Sequence, residues 1–243
     1  DMLLDRFERY AKATYPQVAR NPTKSSICLS FMSTRLAYDL VPMLATDKPD
    51  EQILLRANGE QRRTSVEKHT DFIRRRTNAS NELKGRVLFH ECVRLFKWWR
   101  EFRQSDSKHL PDVATVVIDL ICAKAFDACQ VQTTYAETLA QWFSWAAHVA
   151  RKRQSITFTD YVNPAQPSGN AGWVVLDPVN ASNNVVSSWT GWQIEEFTTW
   201  LEQGRDLMTS AIRYDLDGED SESLRCLVQL FGTPFKHHCE ADD

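Results

Sequence analysis

Apolar positions in the first 64 residues change period twice. Leu3, Leu4, Phe7, Tyr10 and Ala11 recur at helical spacing, with Asp1 placed to cap the run and Pro16 to end it, which predicts a helix over 2–14. The period then drops to two. Ile27, Leu29 and Phe31 alternate, after which Leu36, Tyr38 and Leu40 fall on one face and Ala37, Asp39 and Val41 on the other, as in an antiparallel pair. Residues 53–57 and 60–64 flank Asn58-Gly59, a dipeptide that supplies the positive φ angles of a two-residue hairpin turn.

From Thr64 onward the pattern is helical almost to the end. Helices are expected near 65–77, 80–105, 111–130 and 134–152, with Pro111 suited to a first helical position. Thr64-x-x-Glu67 and Thr134-x-x-Glu137 match the capping box that satisfies orphan helix-end amides. A short extended piece runs from Trp173 to Leu176, Thr190-x-x-Gln193 opens a helix reaching about Arg213, and Leu224 to Phe231 forms one more. The fold class predicted is α+β, with a sheet-bearing segment 1–64 and a helical lobe 65–243, free of internal repeats and low-complexity tracts.

Composition bounds the chemistry. Of 243 residues, 42% are hydrophobic, and twelve Phe, eight Trp and six Tyr against eight Gly favour a large, mostly helical core. A net charge of -3 lacks the basic surface that gives sequence-independent affinity for nucleic acid, so activation by nucleic acid is not expected. None of the six cysteines forms a C-x-x-C, and three fall within helical apolar patterns, as reduced buried thiols do. No apolar run approaches the ~20 residues of a membrane span, and the start carries no secretory pattern, so a cytoplasmic protein without a membrane partner is expected. Because the chain opens at Asp1 rather than Met, upstream residues are expected to lie outside it.

Several motifs carry little. Asn78-Ala79-Ser80 and Asn180-Ala181-Ser182 match a glycosylation pattern that has no consequence without secretion. His237-His238-Cys239 has no second ligand pair at zinc spacing. In Asp215-Leu216-Asp217-Gly218-Glu219-Asp220 the Gly stands fourth rather than sixth and no Glu closes a calcium loop, so it reads as a solvated linker. Arg74-Arg75-Arg76 and Arg151-Lys152-Arg153 fall at expected helix ends, where cations complement the dipole. No Gly-x-Ser-x-Gly, phosphate loop or dinucleotide glycine pattern is present.

Four residues carry more. Asp39 sits in an otherwise apolar strand, where an acid must be paired, metal-bound or exposed, and the residues alone leave metal ligand and solvated edge both open. In the helix 80–105, Leu88, Cys92, Leu95, Trp99 and Phe102 form an apolar stripe, with Arg86, His90, Arg94, Lys97 and Glu101 on the other side. Asp119 is the only charge between Val113 and Ala123, so it needs a partner, with Arg94 the candidate, either in a structural salt bridge between helices or at a ligand pocket. Asp177, Asn180, Asn183 and Asn184 suit an Asp-Pro turn shaped by side-chain-to-backbone bonds.

Tyr38-Asp39-Leu40-Val41-Pro42, Arg94-Leu95-Phe96-Lys97-Trp98-Trp99, Ile118-Asp119-Leu120-Ile121 and the loop from Leu176 to Val185 together resemble the bacterial CD-NTases, relatives of cyclic GMP-AMP synthase and oligoadenylate synthase. The resemblance runs loosely from Ser26 to Arg213. It implies part of a Pol-β-like nucleotidyltransferase mixed sheet followed by an oligoadenylate synthase-like helical lobe, with the nucleotide site in the cleft between them. The activity implied is synthesis of a cyclic oligonucleotide second messenger for antiviral signalling, with nucleoside triphosphates as substrates, Mg²⁺ or Mn²⁺ as cofactor and a downstream effector that responds to the product. Asp39 takes the position of the third catalytic acid and metal ligand, Lys97 that of the donor triphosphate contact, and Arg94 and Asp119 positions at the nucleotide pocket. Where relatives place a base-stacking Tyr, this chain has Val116, which leaves base choice open. The family's Gly-Ser turn and Asp-x-Asp pair have no match upstream of Asp39, so the first part of the catalytic core is expected to be missing from this chain. The rival readings are a catalytically inactive nucleotide-binding or scaffold relative and a linear 2′-5′ oligoadenylate synthase.

Overall fold

The structure is a computed structural model that describes residues 3–15, 19–22, 26–31, 36–56, 58–84, 87–110, 112–164 and 172–240. Asp1, Pro16, Arg86 and Pro111, to which the sequence assigns a cap, a stop, a polar face and a helix start, lie outside these. The chain divides into two compact units, Asp1–Thr70 and Asp71–Asp243.

The first unit holds helix α1 (Leu3–Thr14) and strands β1 (Ala19–Pro22), β2 (Ile27–Phe31), β3 (Leu36–Leu40), β4 (Met43–Ala45), β5 (Gln52–Leu55) and β6 (Gln61–Thr64). They form two three-stranded sheets, β1-β2-β3 and β4-β5-β6, antiparallel throughout. Ala11 of α1 packs with Ile27 and Leu29 of β2, which places the even partners Cys28 and Ser30 on the other face. Period two thus finds β2 and β3. It does not find β1, whose Ala-Arg-Asn-Pro has no strand propensity of its own and is held by pairing to β2. The Asn58-Gly59 hairpin is present with a longer loop than expected. The Arg56 carbonyl accepts from Gly59 N–H at 2.9 Å and Arg56 N–H donates to the Glu60 carbonyl at 3.0 Å, enclosing three residues, with Gly59 at φ +82° in the left-handed position such a loop needs.

Helix α2 (Val66–Lys84) crosses the division between the units. Its cap is Ser65, whose Oγ accepts from Lys68 N–H at 3.2 Å, and not Thr64. It also runs past residue 77, where the sequence places its end. Ser80, fully buried, donates to the Thr77 carbonyl at 2.7 Å and accepts from Phe89 N–H at 2.8 Å. It therefore caps the next helix from within α2, which is why a residue that reads as a helix start sits inside a helix.

The second unit continues with α3 (Phe89–Gln104), α4 (Thr115–Cys129), α5 (Tyr135–Arg151), the short pair β7 (Leu176–Asp177) and β8 (Asn180–Asn184), then α6 (Gly191–Leu216), α7 (Asp220–Phe231) and α8 (Thr233–Glu240). Thr134 and Thr190 form complete capping boxes with Glu137 and Gln193. On α3 the buried seam is Phe89, Cys92, Val93, Phe96, Trp99 and Arg100, rotated from the predicted stripe, since Leu95 is only partly buried. Phe96 stacks on Phe143 of α5 at 4.1 Å, and Phe143 in turn lies against Gly204 of α6.

Two further expectations are corrected. Asp215 to Asp220 is no linker but a tight helix corner: Gly218 (φ +76°) N–H donates to the Asp215 carbonyl at 3.1 Å and Glu219 N–H to the Tyr214 carbonyl at 2.8 Å, a Schellman end. Arg74, Arg75 and Arg76 lie mid-helix because α2 is longer than expected. Arg76 is buried, bonds both oxygens of Asp127 on α4 at 2.9 and 2.7 Å, reaches Asp160 at 3.1 and 3.3 Å, and stacks 3.9 Å from the Phe72 ring centre. Burial works to lower its pKa, but the bonds from Asp127 and Asp160 carry it upward, so the cation is locked in.

Candidate functional site

Asp39 belongs to β3 in the first unit, opposite Cys28 of β2 in the antiparallel register. Every residue of β3 is exposed, and the Asp39 side chain makes no hydrogen bond or ion pair among the described residues, which sets aside a paired acid and leaves metal ligand and solvated edge both open. Its neighbours Leu36, Tyr38 and Leu40 remain 51%, 53% and 37% exposed, unusual for large apolar side chains on one strand face.

The other three candidates lie in the second unit. Lys97 stands on α3, next in sequence to Phe96 but on the partly exposed side, and Asp119 faces it from α4; Nζ and Oδ1 are 2.7 Å apart. Asp119 is flanked by fully buried Ile118 and Leu120, while its own side chain keeps 24% exposure. The partner expected for Asp119, Arg94, is elsewhere. Arg94 is 74% exposed and bonds both oxygens of Glu91 at 3.3 Å, the i,i+3 neighbour on its own helix. His90 Nε2 also lies 2.9 Å from Glu91 Oε1. The structure therefore brings Lys97 and Asp119 together and separates Arg94 from Asp119, and it adds Glu91, which sequence reasoning missed although its spacing from Arg94 was visible.

Beneath this pair the helices are apolar. Cys92 and Cys122, one on each helix, are fully buried; burial pushes the Cys92 thiol up to about 12 and the Cys122 thiol well above its ordinary value. Neither thiol is a nucleophile near neutral pH. Val116, at the place of the family's aromatic, is partly buried against the core. Among the described residues, open cavities of about 610 and 370 Å³ are lined respectively by residues such as Phe102, Arg103 and Gln229 and by Gln132, Glu137 and Ile212. None of the four candidates lines either.

The Asp-Pro loop is structural, as its composition implied. Asp177 is buried; its Oδ1 accepts from Val179 N–H at 2.9 Å and its Oδ2 from Asn183 Nδ2 at 3.0 Å. Asn184 accepts from Val175 N–H and donates to the Trp173 carbonyl. Among the described residues no group of three or more His, Cys, Asp or Glu is placed to hold a metal, and no helix is long and apolar enough to cross a membrane.

No protein-family model matches the chain. Cyclic AMP-AMP-AMP synthase of Escherichia coli (strain MS 115-1) is 30% identical over 194 residues, which cover 78% of this chain and 58% of that protein. The chain thus spans less than two thirds of that relative's length. The structure of E. coli MS115-1 CdnC with ATP is similar with a TM-score of 0.77 at 25% identity, over 95% of this chain and 71% of that one. The CD-NTase CdnG of Bradyrhizobium diazoefficiens, solved with GTP, matches in fold alone, with a TM-score of 0.65 at 15% identity over 94% of this chain and 73% of that one. Sequence identity and fold point the same way, and the chain belongs to the bacterial CD-NTase family.

Proposed function

We propose that the protein containing this chain is a nucleotidyltransferase that joins nucleoside triphosphates into a cyclic oligonucleotide, with ATP among its substrates. The observation that carries this reading is the 30% identity to a cyclic AMP-AMP-AMP synthase. In the reaction a ribose hydroxyl of one nucleotide attacks the α-phosphate of another and pyrophosphate leaves. Lys97 supplies a point charge for the donor triphosphate, and its position on a rigid helix backed by Phe96 and Trp99 holds that charge without loop reorganisation. Arg94, more exposed, is the second cation available to phosphate, and Asp119 borders the same site.

A divalent ion such as Mg²⁺ fits Asp39 to a limited extent. An exposed, unpaired carboxylate is a suitable hard ligand, and Mg²⁺ is commonly held by one or two carboxylates together with substrate phosphates and water. Bound there, the ion would neutralise triphosphate charge and lower the pKa of the attacking hydroxyl. Asp39 would hold it. The product would act as a second messenger in antiviral defence through an effector that binds it, in a cytoplasmic setting and without nucleic-acid activation.

The test uses the longest natural form of the protein with all four ribonucleoside triphosphates and Mg²⁺, and identifies products by mass spectrometry beside Asp39→Asn. A phosphatase-resistant cyclic product, absent with Asp39→Asn, is expected. Folded protein giving neither product nor pyrophosphate would replace this reading with that of an inactive nucleotide-binding relative.

A further inference from the structure

Both cations offered to the triphosphate are already engaged by carboxylates: Lys97 by Asp119 at 2.7 Å and Arg94 by Glu91 at 3.3 Å. The two pairs are not equivalent. Arg94–Glu91 is an exposed pair within one helix, of the kind that rearranges at little cost. Lys97–Asp119 joins two helices, and its acid stands between Ile118 and Leu120, whose burial anchors this stretch of α4 and holds the Asp119 backbone beside Lys97. The Asp119 charge therefore stays near any phosphate that arrives at Lys97.

Resting on the nucleotide-site reading above, we infer that Asp119 is a negative determinant of triphosphate affinity, a fixed anion that competes with the donor phosphates for Lys97 and repels them. Such a residue loosens the grip on triphosphate and on departing pyrophosphate alike, because both carry phosphate charge to the same ammonium. A phosphate bonded to Lys97 would bring its charge to roughly 6 Å from the carboxylate. With an effective dielectric between about 40 and 80 at this partly hydrated place, one such contact weakens binding about three- to tenfold. The effect is electrostatic, so it must scale with ligand charge and fade with salt.

The experiment measures equilibrium binding of an ATP analogue with an α,β-methylene bridge, in Mg²⁺, to the longest natural form of the protein. Asp119→Asn, and Asp119→Ser as a second neutral variant, are expected to bind the analogue about three- to tenfold more tightly than wild type at low salt, with the difference shrinking near 1 M salt. Asp119→Glu, which keeps the charge, is expected to stay near wild type, and adenosine is expected to show no difference among the variants. Equal or weaker binding by both neutral variants, or a gain that persists with adenosine, overturns the inference. Lys97→Ala run alongside separates the two levels: an unchanged affinity there removes the nucleotide-site reading itself, whereas a loss of tenfold or more with no gain at Asp119 removes only the inference.

Discussion

Replacing Arg76 with Met removes the guanidinium while keeping an unbranched stem of similar reach. Five hydrogen bonds are lost, two to Asp127, two to Asp160 and one to the Phe72 carbonyl at 3.2 Å, together with the stacking on Phe72. Breaking a buried ion pair from one side costs about 3–5 kcal/mol, mostly from the stranded charge. Here the stranded acids keep 33% and 19% exposure, so water recovers part of the loss and the lower end, about 3 kcal/mol, is expected. For a unit of this size that corresponds to a fall in Tm of roughly 6–12 °C by calorimetry or circular dichroism. Adding Asp127→Asn and Asp160→Asn to Arg76→Met should restore much of it, since the repelling charges go as well. A fall of under about 2 °C, or simple additivity of the three changes, would refute the assignment of Arg76 as the ionic tie among α2, α4 and the segment that follows α5.

Gly204→Ala places a Cβ 2.7 Å from the Phe143 ring, and overpacking of about 1–3 kcal/mol should outweigh the ~1 kcal/mol gain in helix propensity, lowering the denaturation midpoint. Gln130, exposed and at φ 59° and ψ −165°, holds a conformation that only glycine adopts freely, its carbonyl fixed by Trp142 Nε1 at 2.9 Å; Gln130→Gly should raise stability by about 1 kcal/mol in urea titration. Tyr161 is pushed up to about 12, by burial first and then by its 2.7 Å hydrogen bond to Asp71. Its folded pKa is raised above the unfolded value near 10, so the stability it contributes is full below pH 10 and disappears as pH rises toward 12. In ultraviolet titration, Asp71→Asn should move this phenol's ionisation to lower pH, with Tyr161→Phe identifying the signal.

Much of the fold is legible where one physical signal acts alone. The alternation in 27–31 and 36–40 finds β2 and β3, and the two Thr-led capping boxes at 134 and 190 are complete because both partners are local. Reading fails where the partner is distant. Ser80 reads as a start because its hydroxyl suits a cap, yet the amide it caps belongs to Phe89, nine residues on. Arg76 reads as a helix-end cation because Asp127 and Asp160 are invisible as partners in a linear chain. The same limit governs the site. The motif around Lys97 and the isolated charge of Asp119 mark both residues, but only packing of α3 on α4 shows that they pair with each other, leaving Arg94 to Glu91.

The functional reading rests on the proposal that Asp39 and Lys97 each take part in nucleotidyl transfer. Its most direct measurement is the rate of pyrophosphate release across a range of ATP concentrations, in Mg²⁺, for the longest natural form of the protein and its Asp39→Asn and Lys97→Ala variants, each verified as folded. The account predicts that Asp39→Asn lowers the maximal rate by about a hundredfold or more with half-saturation little changed, as loss of a transition-state contact does. It predicts that Lys97→Ala raises the ATP concentration for half-saturation about tenfold, as loss of a charge-assisted phosphate contact does. Wild-type rates and half-saturation in both variants would contradict it.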